Sequence, residues 1–163
     1  MTSERAIRDQ IVALLQGGNA HMTFDEAVAD FPLSSINTRP PHVPYTPWHL
    51  LEHLRITQRD ILDFIAAGQY EEPRWPDDYW PDQDVTANEQ SWQETIRQFR
   101  EDLTALIALA QDPAQDLGAP VKHATNDGQN LARELLVVAD HNAYHIGEFA
   151  ILRQVMGTWP ADH

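Results

Sequence analysis

From Leu131 to Met156 the apolar side chains Leu131, Leu135, Val138, Phe149, Leu152 and Met156, with Asn142 and His145 between them, recur three and four residues apart without a break. Side chains at that spacing share one face of an α-helix, and a helix this long must bury that face against other helices along its whole length. Gly157 supplies the stop. The same stretch carries a second apolar line, Val137, Tyr144, Ile151 and Val155, facing away from the first. A helix apolar on two sides is covered on two sides. The cover is either the short helix near residues 23–30 or the 75–81 loop, or else a second copy of the chain in a homodimer.

Three further stretches follow the helical period. Over residues 3–16, Ile7, Ile11, Leu14 and Leu15 recur at threes and fours before Gly17-Gly18-Asn19. Thr46 followed by Pro47 gives an N-cap with proline at the first helical position, and helical composition then runs over 48–67 to Gly68. Thr86-Ala87-Asn88-Glu89 has the spacing of a capping box and precedes Trp92, Ile96, Phe99, Leu103, Leu106 and Ala110. Thr23-Phe24-Asp25-Glu26 has the same signature and predicts the short extra helix, which ends before Pro32. Five prolines keep 32–47 irregular, and 68–85 is too long for a tight turn between antiparallel neighbours, so it crosses the length of the bundle. No strand-like alternation of useful length appears. The expectation is an all-α protein, a four-helix bundle forming a single domain over 1–163.

Composition decides which functions remain. Twenty-five Asp and Glu against eleven Lys and Arg leave a net charge of −14, which repels phosphate backbones and disfavours nucleic-acid binding. No apolar run approaches the roughly 18 residues of a membrane span, and the first five residues lack the basic-then-apolar layout of a signal peptide, so no membrane partner and a cytoplasmic location are expected. Cysteine is absent, which removes disulfides, thiolate metal sites and a cysteine nucleophile together. Histidine is plentiful, with eight copies.

Two pairs of histidines stand four apart, His49 with His53 and His141 with His145. Random placement of eight would give about 0.4 such pairs. On a helix, residues i and i+4 lie on one face roughly 5 to 6 Å apart, so two imidazoles can close on one ion, with a third ligand from another element. At about 100° per residue, His145 falls within the buried stripe of its helix and His141 some 40° to one side. His53 falls at the edge of the arc of Leu50, Leu54, Ile61, Phe64 and Ile65, whereas His49 lies about 40° further round, towards Asp60 and Asp63. His53 is therefore the better third ligand. A single such histidine is ordinarily satisfied by a hydrogen bond at the core edge, but three that converge gain from a divalent cation that accepts all their lone pairs. Glu148, one turn past His145, is a candidate fourth ligand or outer-shell partner, and His49 is kept as a second such candidate. His21, His42, His123 and His163 lie in loops or at the terminus and carry no assignment.

Other catalytic templates fail. In His141-Asn142-Ala143-Tyr144-His145 an Asn stands where the zinc-peptidase motif has its general-base Glu. The sequence also lacks a Gly-x-Ser-x-Gly elbow, a phosphate loop, a dinucleotide glycine pattern and an EF-hand loop.

The segments Thr46-Pro47-Trp48-His49-Leu50-Leu51-Glu52-His53-Leu54 and Asp140-His141-Asn142-Ala143-Tyr144-His145-Ile146-Gly147-Glu148 resemble the DinB-like superfamily of DinB and YfiT-type metalloenzymes. The resemblance spans nearly the whole chain in helix order and loop lengths. It implies an up-down-down-up four-helix bundle, often dimeric, with a metal triad on His53, His141 and His145; His49 matches no ligand position. Characterised relatives include transferases that join a low-molecular-weight thiol such as bacillithiol or mycothiol to an electrophile, a maleylpyruvate isomerase, and hydrolases.

The resulting expectation is a metal-dependent enzyme, with zinc or nickel held by three histidines and activating a water or a thiol cosubstrate for hydrolysis or thiol transfer. No side chain is singled out as catalytic beyond that nucleophile, and the two reactions are not separated. The alternative is a non-catalytic metal-binding stress-response or dimeric structural module. The aromatic 73–81 loop either walls the pocket and selects substrates or caps the bundle.

Overall fold

Four helices begin on a residue whose side-chain oxygen accepts from an amide of the first turn: Thr23 from Glu26, Thr46 from His49, Asn88 from Ser91, and Asn130 from Arg133. Each such bond satisfies a donor that has no partner within the helix and stabilises it by about 1 kcal/mol. The computed structural model describes residues 3–161, so His163 lies outside the described residues, as do Met1 and Thr2. The helices are α1 (Ser3–Gln16), α2 (Phe24–Val28), α3 (Pro47–Ala66), α4 (Glu89–Gln111) and α5 (Leu131–Met156), with 3-10 turns at Leu33–Ser35 and Asp77–Tyr79. No strand is present among the described residues, as the sequence led us to expect, and no helix there is long and apolar enough to cross a membrane.

α3 packs against α4 and α5, and α1 lies against α5 and α4. The core between them has two parts. At one end aromatic rings dominate: Phe24 stacks on Phe99 at 3.8 Å, and Phe31 meets Trp92 at 5.2 Å and Phe149 at 5.5 Å. At the other end the residues are aliphatic, with Ile11, Leu15, Ile65, Leu106, Leu131, Leu135 and Val138 buried together. Burial of each large side chain stabilises the fold by about 1.5 to 3 kcal/mol. A buried polar bridge ties three helices: Gln58 of α3 donates to the Phe99 carbonyl of α4 at 2.8 Å and accepts from Asn142 of α5 at 2.9 Å.

α2 is held from a distance. The guanidinium of Arg153, in the last turn of α5 and fully buried, donates to the carbonyls of Ala27 and Ala29 at 2.7 Å each and to that of Thr158 at 2.8 Å. Trp159 lies over it at 3.9 Å. Gly157 allows this return, because its φ of +62° is the left-handed conformation that ends a helix, and the Thr158 amide then donates back to the Arg153 carbonyl.

Three sequence expectations need correction. The cap of α4 is Asn88 rather than Thr86, because the Asn88 side-chain Oδ1 accepts from the Ser91 amide at 2.8 Å and starts the helix at Glu89. Ile7 and Leu14 are exposed, and the inward line of α1 is Arg8, Ile11 and Leu15. Arg8 is tolerated there because its guanidinium donates to the Ala110 and Gln115 carbonyls and to Glu4. Finally, neither α2 nor the 75–81 loop covers the second apolar line of α5, since Tyr144 is 71% exposed and Ile151 65%.

Candidate metal centre

His53 sits in the second turn of α3, while His141 and His145 stand one turn apart on the side of α5 that faces it. The three imidazoles each offer a nitrogen, and these ligand atoms lie within 4.8 Å of one another. Ring centroids are 5.1 Å apart for His53 and His141, 4.8 Å for His53 and His145, and 4.5 Å for His141 and His145. Among the described residues this is the one group of three or more His, Cys, Asp or Glu side chains so placed.

The hydrogen bonds on the far side of each ring determine which nitrogen is free. His53 Nδ1 donates to the Tyr79 carbonyl at 2.8 Å. His145 Nδ1 donates to Glu148 Oε2 at 2.6 Å. The Thr57 hydroxyl donates to the His53 and Leu54 carbonyls, so its oxygen is the acceptor for His141 Nδ1 at 3.3 Å. In every case the Nδ1 proton is used outward and the Nε2 lone pair is left to the interior of the cluster, the arrangement by which a protein fixes the tautomer of a metal-binding histidine.

Electrostatics agrees with this geometry. Burial lowers His53 to about 4, against the Tyr79 hydrogen bond and Glu148, which pull the other way. Burial lowers His141 to about 3, with the neighbouring imidazoles adding to it. Both rings are thus neutral near pH 7, and their Nε2 atoms stand 3.3 Å apart with no proton between them. Two lone pairs at that distance repel. A tetrahedral ion with bonds of about 2.0 to 2.1 Å spaces its nitrogen ligands about 3.3 Å apart, so the donor set fits a divalent cation in chemistry and in this spacing.

Glu148 stands behind His145. Burial alone would raise its carboxyl, but hydrogen bonds from His145 and Tyr45 outweigh that and hold it below its ordinary value. Its Oε2 accepts from His145 and its Oε1 from the Tyr45 hydroxyl, so both oxygens are engaged and the residue orients a ligand from outside the cluster.

His49 does not join the cluster. Instead of pointing towards Asp60 and Asp63 it is buried, its Nδ1 accepting from the Thr46 amide at 3.2 Å and its Nε2 donating to the Val85 carbonyl at 2.9 Å. It takes the place that Glu or Gln holds in an ordinary capping box, and neither nitrogen is left for an ion.

The 75–81 loop reaches the site through the Tyr79 carbonyl and through Trp80, which stacks on the face of His53 at 3.9 Å and 4°. Tyr45, from the 32–47 loop, lies against Trp80 at 5.3 Å. Thr57, Tyr45 and the Tyr79 carbonyl carry no motif, and pattern reading passed over them. Thr57 had one available signal, its position four residues after His53 on the same helical face.

The family model of the DinB superfamily matches residues 18–149, a span that contains all three histidines together with Tyr45, Tyr79, Trp80 and Glu148. No curated protein and no solved structure matches the chain. With most of its length matched, an all-helical fold, and three histidines from two helices gathered at one point, the chain belongs to the DinB superfamily.

Proposed function

We propose that this protein is a metal-dependent enzyme in which Nε2 of His53, His141 and His145 hold one divalent ion, zinc or nickel, that serves to activate a thiol cosubstrate or a water. The observation that carries this reading is the pair of neutral, inward-facing Nε2 atoms 3.3 Å apart, with every Nδ1 proton already used on an outward acceptor. Three neutral nitrogen ligands leave positions open on the ion, as a catalytic site requires. When bound, the ion supplies Lewis acidity, which makes a thiol or a water more acidic. The chain's own groups supply orientation: the Tyr79 carbonyl, Thr57 and Glu148 hold the rings, while Trp80 and Tyr45 wall one side and limit access of bulk water. With no cysteine in the chain, a thiol nucleophile enters as a cosubstrate.

Elemental analysis of protein purified without tag or chelator, beside the His53→Ala variant, tests the site. About one ion per chain that is lost in the variant is the expected result; no ion in either, and none taken up from added divalent salts, overturns it. Assays of the loaded protein with low-molecular-weight thiols plus electrophiles, and with esters or amides, then separate transfer from hydrolysis. Trp80→Ala is expected to shift substrate preference more than it shifts stability.

The reading includes the up-down-down-up order of the four long helices within one domain. It is supported by contacts that pair α3 with α4 in the same direction (Trp48 with Thr95, Gln58 with the Phe99 carbonyl) and α3 with α5 in opposite directions (His53 with His145, Thr57 with His141). A cytoplasmic small-molecule enzyme without nucleic-acid or membrane partners suits a charge of −14.

One observation favours a second reading. The exposed line of Val137, Tyr144, Ile151 and Val155 suits a homodimer whose interface is the function and whose ion is structural. Chelation distinguishes the two: an apo-protein that stays folded supports catalysis, and one that unfolds supports the non-catalytic module.

A further inference from the structure

The connection between α3 and α4 leaves α3 at its C-terminal end and returns to the level of His53. Two of its tyrosines end on one carboxylate of α3: the Tyr70 hydroxyl donates to Asp60 Oδ1 at 2.9 Å and the Tyr79 hydroxyl to Asp60 Oδ2 at 2.7 Å. Asp60 stands seven residues, two helical turns, beyond His53 on the same side of α3. Tyr79 therefore touches α3 twice, through its hydroxyl at Asp60 and through its carbonyl at His53 Nδ1, 2.8 Å away. Its neighbour Trp80 lies flat on one face of the same imidazole. His141 and His145 are oriented by side chains on helices, Thr57 and Glu148, whereas His53 depends on a backbone carbonyl at the end of a short 3-10 turn in the connection.

We propose that Tyr79 is the positioning residue of the metal site, coupling the docking of the 68–85 connection to the orientation of His53 through the bridge from Asp60 to the imidazole. The inference rests on the metal-site reading above and deepens it. With the hydroxyl anchored, the carbonyl is held against Nδ1, the Nδ1–H tautomer is fixed, and Nε2 faces His141. Once the hydroxyl is removed, the carbonyl loses its second point of attachment and the ring gains freedom to turn beneath Trp80. Outer-shell partners of this kind are worth about ten- to hundredfold in metal affinity.

Tyr70 provides a matched control, since it makes the same kind of bond to the same carboxylate and does not touch His53. The experiment compares full-length wild type, Tyr79→Phe, Tyr70→Phe and His53→Ala. It measures zinc affinity by competition with a chromophoric chelator, the visible absorption of the cobalt(II)-loaded proteins, and the melting temperature of each apo-protein. Tyr79→Phe is expected to bind zinc about tenfold more weakly and to show altered cobalt bands. Tyr70→Phe is expected to stay within about twofold of wild type with unchanged bands, at a comparable melting temperature. Equal weakening by both tyrosine variants would reduce Tyr79 to a general anchor of the connection and overturn the proposal. Wild-type affinity and bands in Tyr79→Phe, with uptake still lost in His53→Ala, would overturn it while leaving the metal site standing. If wild type took up no ion at all, the metal reading would fall and this inference with it.

Discussion

The starts of α3 and the middle of α5 carry the same four-residue histidine spacing and use it in opposite ways. On α5 both rings face the neighbouring helix, use their Nδ1 protons outward and leave Nε2 to a shared interior. On α3 only His53 does so; His49, at the third position of the helix, lies within reach of the unpaired Thr46 amide and is consumed by the cap. The spacing thus places two side chains on one face, but the position within the helix decides what they meet.

Several substitutions would break or sharpen this contrast. The largest effect is expected from replacing His141 and His145 together by Ala, which should abolish zinc or nickel uptake in elemental analysis of dialysed protein. Acid comes next. His53 at about 4 and His141 at about 3 lie below the roughly 6.5 of an unfolded imidazole, so the unfolded chain binds more protons between those values. Their contribution to apo-protein stability is full above about 6.5 and is lost as pH falls towards 4. Urea midpoints of chelated protein at pH 7.5 and 4.5 check this, and the double variant should lose less over the same interval. Glu148→Gln keeps the shape behind His145 but removes the charge, and should weaken zinc affinity about ten- to hundredfold in chelator competition. His49→Ala should leave that affinity within about twofold while lowering the unfolding free energy by about 1 to 3 kcal/mol in denaturant titration. His49→Gln, which restores an ordinary capping box, should cost less than about 1 kcal/mol by the same measurement.

The contrast also explains what could be read in advance. Thr23, Thr46 and the stripe ending at Gly157 are local signals, so the bounds of α2, α3 and α5 followed closely from them. His53, His141 and His145 were legible because wheel position and motif agreed. The fate of His49 was not, since Thr-x-x-His mimics a capping box with an unusual partner and its second bond goes to Val85, 36 residues away. The Tyr79 carbonyl was equally invisible: a backbone acceptor has no residue type, and its distance from His53 along the chain is set by the path of the connection. Arg8 displaced Ile7 and Leu14 from the core face for a similar reason, because its acceptors Ala110 and Gln115 lie a hundred residues later.

The buried guanidinium of Arg153 has a consequence for the order in which this molecule takes shape. A helix of five residues is far too short to persist alone, and the carbonyls of Ala27 and Ala29 have their donor on the last turn of α5, more than 120 residues further along the chain. On a ribosome, Phe24 and Phe31 emerge before Phe149, Leu152 and Arg153 and must wait for them before the aromatic half of the core can close. His53 waits in the same way for His141 and His145. Synthesis therefore delivers the ligand site and the closing cation almost together, and a nascent chain halted before residue 140 holds neither.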